Sequence, residues 1–89
     1  MKRGEVIREI EAYIDLISGP MSERNVEDGW DPESQQAVLQ MMREIQKALR
    51  ESTPVPKWSL VRSMDALAVR GELFDRACEI SNHIRKMEE

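Results

Sequence analysis

Residues 60–87 read LVRSMDALAVRGELFDRACEISNHIRKM and carry two apolar stripes that do not share one helix face. Both stripes have the spacing of three and four residues that is typical of an α-helix. The first consists of Leu60, Val61, Met64, Leu67 and Ala68, and the second of Leu73, Ala77, Ile80, Ile84 and Met87. At about 100° per residue, the two stripes point to different sides of one straight helix, and Gly71 stands where the face changes.

This change of face is compatible with two folds. In one, a helix of about residues 57–87 continues through Gly71, at a cost of about 1 kcal/mol relative to alanine, and its distal face meets a second subunit. In the other, the helix ends near Arg70 with Gly71 as its cap, and a fourth helix completes a monomeric bundle. Because residues 70–72 are few for a chain reversal, we expect the continuous helix and a homodimer. The predicted dimer interface is Leu73, Ala77, Ile80, Ile84 and Met87.

Two amphipathic helices precede this region. The first is predicted over about residues 4–18, and Gly19 and Pro20 end it. A second helix is predicted over about residues 32–51. Asp31 can cap it, Pro32 has the backbone φ of a first helical residue, and Glu33 places an acid in the first turn. A proline-containing loop, 52–56, follows it. The apolar faces of these two helices are formed by Val6, Ile7, Ile10, Tyr13, Ile14, Ile17, Val38, Met41, Met42, Ile45, Ala48 and Leu49.

The fold class predicted from these patterns is all-α. With 89 residues, the chain is expected to form a single helical domain over residues 1–89. It would be a three-helix domain with a long C-terminal helix, or a four-helix bundle if that helix breaks at Gly71.

Charge is concentrated in the first third of the chain. Residues 1–33 hold four basic and nine acidic side chains, whereas the whole chain has a net charge of −4. An acidic surface repels nucleic acid and attracts a basic protein. The loop 19–31 contains much of this acid and one indole, so we expect Trp30, Glu27 and Asp28 to bind a partner. The alternative for Trp30 is packing against the bundle.

No catalytic, cofactor-binding or metal site is predicted. Cys78 has no nearby histidine to activate it, and His83 with Glu79 one turn before it supplies too few ligands for zinc. The acidic loop lacks the alternating oxygen ligands of a calcium site, and no glycine-rich phosphate loop occurs. We therefore expect that the protein is not an enzyme and that it uses no cofactor.

A cytoplasmic location is predicted. A single cysteine cannot form an internal disulfide, and acidic residues interrupt the only stretch that could resemble an export signal. No apolar run reaches the length of a membrane span, so no membrane association is expected.

The second half resembles a known family. Over residues 33–88, the chain resembles the small enterobacterial connector proteins of the biofilm-development (YmgB/AriR) type. The resemblance is carried by a long C-terminal helix and by Lys57, Trp58, Ser59, Leu60, Val61, Met64 and Leu67. The resemblance implies a helical dimer without a catalytic site that acts on partners in two-component signalling. The acidic loop and the longer first helix depart from that pattern.

Three functions follow as hypotheses. The first is a homodimeric regulatory adaptor that acts by protein–protein interaction. The second is an immunity- or inhibitor-type protein that blocks a basic enzyme. The third is a DNA-binding regulator whose recognition helix would begin at Trp58 or Ser59, with Lys57, Arg62 and Arg70 on phosphates. Because acids interleave with these cations, nucleic-acid binding is the least favoured of the three.

Overall fold

The computed structural model describes residues 2–54 and 60–87, and they form five α-helices. The helices are α1 (Arg3–Ser18), α2 (Glu23–Glu27), α3 (Pro32–Arg50), α4 (Leu60–Ala66) and α5 (Glu72–Arg85). No strand occurs among the described residues, so the all-α prediction is confirmed. The bounds predicted for the first helix and for the helix beginning at Pro32 agree with α1 and α3 to within one residue.

The pair formed by α1 and α3 is antiparallel and is tied at both ends by side chains. Arg3 donates from Nη1 to the carbonyl oxygen of Leu49 at 3.0 Å, at the end of α3. Gln35 donates from Nε2 to the carbonyl oxygens of Ile17 and Gly19, the latter at 2.9 Å. The last carbonyls of a helix have no partner within it, so each helix completes the other's C-terminal end.

The start of α3 matches its sequence signature. Asp31 accepts a hydrogen bond from the backbone amide of Ser34 at 2.7 Å, and Pro32 occupies the first turn. Hydrogen bonds from Ser34 hold the pKa of the Asp31 carboxyl below its usual range, because they favour the charged form.

The core lies around α1, which packs between α3 and α5, while α4 packs against α5. Burial of apolar side chains from all four of these helices and from the connecting segments supplies most of the stabilisation. The buried apolar residues are Val6, Ile10, Tyr13, Ile17, Trp30, Val38, Leu39, Met42, Ile45, Ala48, Leu49, Leu60, Met64, Val69, Leu73, Ala77 and Ile80.

Two polar contacts hold α5 to α1. The hydroxyl of Tyr13 donates to the carbonyl oxygen of Leu73 at 2.8 Å inside the core. Farther along, Nδ1 of His83 lies 2.7 and 3.0 Å from the two carboxylate oxygens of Glu9. A later residue of α5 thus meets an earlier residue of α1, so these two helices are also antiparallel.

The prediction of one continuous C-terminal helix is wrong. Helix α4 ends at Ala66, and α5 begins at Glu72, with Ala68 and Gly71 at positive φ between them. The connection takes five residues, 67–71, rather than the three that seemed too few for a break. Once the helix ends before Leu67, the second stripe is free to adopt its own direction. The four-helix alternative describes this region better, except that α4 ends at Ala66 rather than near Arg70, and Gly71 is the N-cap of α5 rather than the cap of the preceding helix.

The residues predicted to form a dimer interface lie inside one chain. Leu73, Ala77 and Ile80 are buried, and Ile84 and Met87 pack half-buried against the same core. The prediction assumed that one chain could not cover this stripe, and that assumption is wrong because α1 and α4 both pack against α5. A homodimer remains a prediction, and the stripe from Leu73 to Met87 no longer supports it.

The two predicted loops differ in outcome. The acidic loop 19–31 contains the short helix α2, because Ser22 accepts a hydrogen bond from the backbone amide of Asn25 at 3.2 Å and caps it. In the proline-containing loop, residues 52–54 are exposed and non-helical as predicted, whereas 55–56 and the predicted helix start at 57–59 lie outside the described residues.

The double contact of Gln35 can be tested by mutation. Gln35→Ala should lower the free energy of unfolding by about 1–2 kcal/mol, because two partly buried carbonyls at the end of α1 lose their donor. Denaturant unfolding followed by circular dichroism measures this loss. The neighbouring Gln36 is exposed, so Gln36→Ala serves as the matched control and should stay within about 0.5 kcal/mol of wild type. Equal effects of both substitutions would contradict the assignment.

Tyr13 gives a second prediction, which concerns pH. Burial raises the pKa of the Tyr13 phenol far above its usual value. The unfolded chain therefore releases this proton near pH 10 while the folded chain retains it, so stability falls as pH rises above about 10, by at most about 1.4 kcal/mol per unit. Tyr13→Phe should cost about 1 kcal/mol at pH 7. Its deficit relative to wild type should shrink between pH 10 and 11.5, and a deficit that does not change with pH would contradict the prediction.

Candidate functional site

The segment between α1 and α3 is fastened to the turn between α4 and α5. The backbone amide of Arg70 donates to the carbonyl oxygen of Asp28 at 2.8 Å. The indole Nε1 of Trp30 donates to the carbonyl oxygen of Arg70 at 3.0 Å. Both backbone groups of Arg70 are therefore used by residues of the acidic segment, and we call this set of contacts the Trp30–Arg70 clamp.

Trp30 is a core residue, which corrects its predicted role as a partner-binding residue. Its side chain is 1% exposed and packs in the hydrophobic core. A buried indole needs a hydrogen-bond acceptor, and the carbonyl of Arg70 supplies one. The packing alternative for Trp30 is the one the structure supports, because the clamp turns the ring inward.

Two glycines make the close approach of these segments possible. Gly29 has a φ of 97°, and a Cβ atom there would overlap the backbone oxygen of Ala68. Gly71 has a φ of 83°, and a Cβ atom there would overlap the carboxylate of Asp28. This carboxylate lies beside the N-cap of α5, where a negative charge interacts favourably with the helix dipole. Asp28 is half-buried at this contact, so it forms part of the support rather than an open binding surface.

The clamp leaves α2 facing solvent. None of its five residues is buried, and Glu23 and Glu27 are exposed. Val26 is 52% exposed, and with Leu16 it is one of two large apolar side chains that stand out from the described surface. Because Glu23 lies three residues before Val26 and four before Glu27, the three side chains project from adjacent positions of one short helix. We call Glu23, Val26 and Glu27 the α2 surface.

Val26 was missing from the predicted partner-binding residues. In sequence, Val26 and Trp30 are both isolated apolar residues within an acidic segment, and the indole is the larger potential anchor. The burial of Trp30 leaves Val26 as the exposed apolar residue of α2. Val26 and Trp30 are four residues apart, so they would share one face if a single helix contained both. The sequence does not show that α2 ends at Glu27, and so it does not show that the two side chains point in different directions.

His83 and Cys78 have structural surroundings. His83 contacts Glu9 of α1 rather than Glu79, which is exposed. Burial, followed by the nearby charge of Asp75, raises the pKa of the Cys78 thiol, which disfavours the reactive thiolate. Among residues 2–54 and 60–87, no three histidine, cysteine or carboxylate side chains converge closely enough to hold a metal ion.

A second surface feature lies on the outer side of α3. A cavity of about 400 Å³ that is open to solvent is lined there by polar and charged side chains of this one helix around one small residue. The lining residues are Gln36, Ala37, Gln40, Arg43, Glu44 and Lys47. In sequence, this face does not stand out, because its residues are typical of a solvated helix surface.

The chain was compared with known proteins by sequence and by structure. No family model, no curated protein and no solved structure matches it. None of the described helices is both long enough and apolar enough to cross a membrane.

The strained turn can be tested through its glycine. Gly71→Ala should lower the free energy of unfolding by about 1–3 kcal/mol, since alanine disfavours a positive φ and its methyl group would displace Asp28. Gly4 in α1 is the control, because nothing lies within 4 Å of a Cβ atom at that position. Gly4→Ala should stabilise the protein by up to about 1 kcal/mol. Thermal unfolding that shows the same sign for both variants would contradict the role of Gly71.

Proposed function

We propose that this protein is a non-enzymatic adaptor that binds a basic surface of a partner protein through the α2 surface. The observation that supports the proposal is the half-exposed Val26 between Glu23 and Glu27 on a helix with no buried residue. Two carboxylates next to an apolar contact combine modest affinity with charge selectivity, and Arg24 is the one cation of α2. This retains the predicted basic partner and replaces Trp30 with Val26 as the apolar contact.

The rigidity of the support favours recognition. The Trp30–Arg70 clamp fixes the chain immediately after α2, and Ser22 caps the helix at its start. A surface that is already ordered loses little conformational freedom on binding. The acidic side chains would raise the association rate and make it sensitive to salt, while burial of Val26 would contribute at most about 2 kcal/mol.

An inhibitor or immunity-type protein is the second candidate, because the same acidic surface could cover a basic enzyme. The two functions differ in the partner: an inhibited enzyme loses activity when it binds, whereas an adaptor's partner does not. For DNA binding, Arg62 and Arg70 are exposed, but the backbone amide of Arg70 is bonded to the carbonyl oxygen of Asp28, whose carboxylate lies beside Gly71. Lys57, Trp58 and Ser59, which carried that hypothesis, lie outside the described residues.

A charge-reversal capture experiment tests the proposal. Wild-type protein, Glu23→Lys/Glu27→Lys and the control Asp65→Lys/Glu79→Lys are immobilised and exposed to the same native lysate, and bound proteins are identified by mass spectrometry. Asp65 and Glu79 are exposed on α4 and α5, so the control makes the same change in net charge away from α2. We expect wild type and the control to capture the same basic proteins, and the Glu23→Lys/Glu27→Lys variant not to capture them. Wild type should also lose these proteins when the salt concentration is raised to about 0.5 M.

Two results would overturn the proposal. One is capture of the same set of proteins by wild type, the α2 variant and the control variant. The other is that wild type captures no protein more strongly than the α2 variant does. Val26→Ser separates the contribution of the apolar contact to binding from that of the charges. The partner should dissociate faster from this variant, while its association rate should change little because the acidic residues still attract it.

A further inference from the structure

We infer that the outer face of α3 is a self-association surface on which a second copy of this chain binds in an antiparallel orientation. This inference is independent of the α2 surface. It rests on the cavity of about 400 Å³ along α3 and on the order of the charged residues around it.

The residues that matter lie on one side of the helix. Glu33, Gln36, Gln40 and Lys47 follow one another at intervals of three, four and seven residues, so they share one face of α3. All four are exposed. Ala37 is half-buried beside them and has no long side chain, which leaves room for the side chains of an approaching helix.

The charges on this face select the orientation. Its N-terminal end carries Glu33, and its C-terminal end carries two cations and one acid, Arg43, Glu44 and Lys47, all in exposed positions. Two copies in parallel would place like charges opposite each other. In an antiparallel pair with the two-fold axis at Gln40, Glu33 of each copy lies opposite Lys47 of the other, and the helix dipoles are also opposed.

The same register matches the remaining residues. Gln40 meets Gln40 of the second copy, and their amides can exchange hydrogen bonds. Gln36 meets Glu44 of the second copy, so an amide N–H faces a carboxylate oxygen, and the long side chain of Arg43 meets Ala37. A second α3 placed along this face with this register therefore finds an opposite charge, a hydrogen-bond partner or open space at each of these positions.

The expected dimer is weak. Helix α3 is about 28 Å long, and one pair of such helices buries less than the roughly 1,200 Å² typical of a stable dimer. Polar and charged contacts dominate, so association should require high protein concentration and should decrease with salt. A dimer of this kind would respond to the local concentration of the protein.

Light scattering and sedimentation equilibrium from about 10 μM to about 1 mM protein test the inference at low salt and at 0.5 M salt. We expect concentration-dependent dimer formation at low salt that is reduced by high salt. Lys47→Glu should weaken it by about tenfold or more, because it places two carboxylates opposite each other at both ends of the interface. Glu33→Lys/Lys47→Glu exchanges the charges and should restore association.

Arg85→Glu is the matched control, since Arg85 is an exposed cation in the last turn of α5 as Lys47 is in the last turn of α3. It should leave the dimer unchanged, and circular dichroism should show all variants folded. A single copy at about 1 mM and low salt would overturn the inference. Equal weakening by Arg85→Glu, or no recovery in the double variant, would overturn it as well. None of these results depends on whether α2 binds a partner.

Discussion

The Trp30–Arg70 clamp is the contact on which the rest of the structure depends. It satisfies both backbone groups of Arg70 in a turn with two residues at positive φ, so the break between α4 and α5 persists. Because the chain breaks there, α5 can place its apolar stripe against α1. The same contact buries Trp30 and leaves α2 on the outside. The position of Trp30 therefore affects both the packing of the core and the exposure of the acidic residues of α2.

Several polar side chains join the helices of this small protein. Arg3 and Gln35 complete the ends of α3 and α1, Tyr13 holds α5, and His83 contacts Glu9. A chain of this size buries a limited apolar area, so hydrogen bonds that satisfy partly buried carbonyls contribute a substantial share of its stability. Each of these four side chains is therefore engaged in a contact between helices.

The two surfaces that we propose for binding differ in character. The α2 surface is acidic with one apolar residue, which suits a partner of opposite charge. The outer face of α3 carries both signs in a fixed order, which suits a copy of itself. If both are used, self-association through α3 would place two α2 surfaces in one assembly and raise the apparent affinity for a partner that has two binding sites.

The sequence by itself determined the all-α class, the extents of α1 and α3, and the existence of an apolar stripe from Leu73 to Met87, because local periodicity and capping residues act within a few turns of one helix. It also placed the acidic residues between α1 and α3. Only the tertiary structure decided what covers that stripe, whether Trp30 or Val26 faces solvent, and where the last helix breaks. These depend on contacts between residues 28–30 and 68–71, which are distant in the chain. Helix periodicity gives the face that a residue occupies, but it does not give the segment that will pack against it.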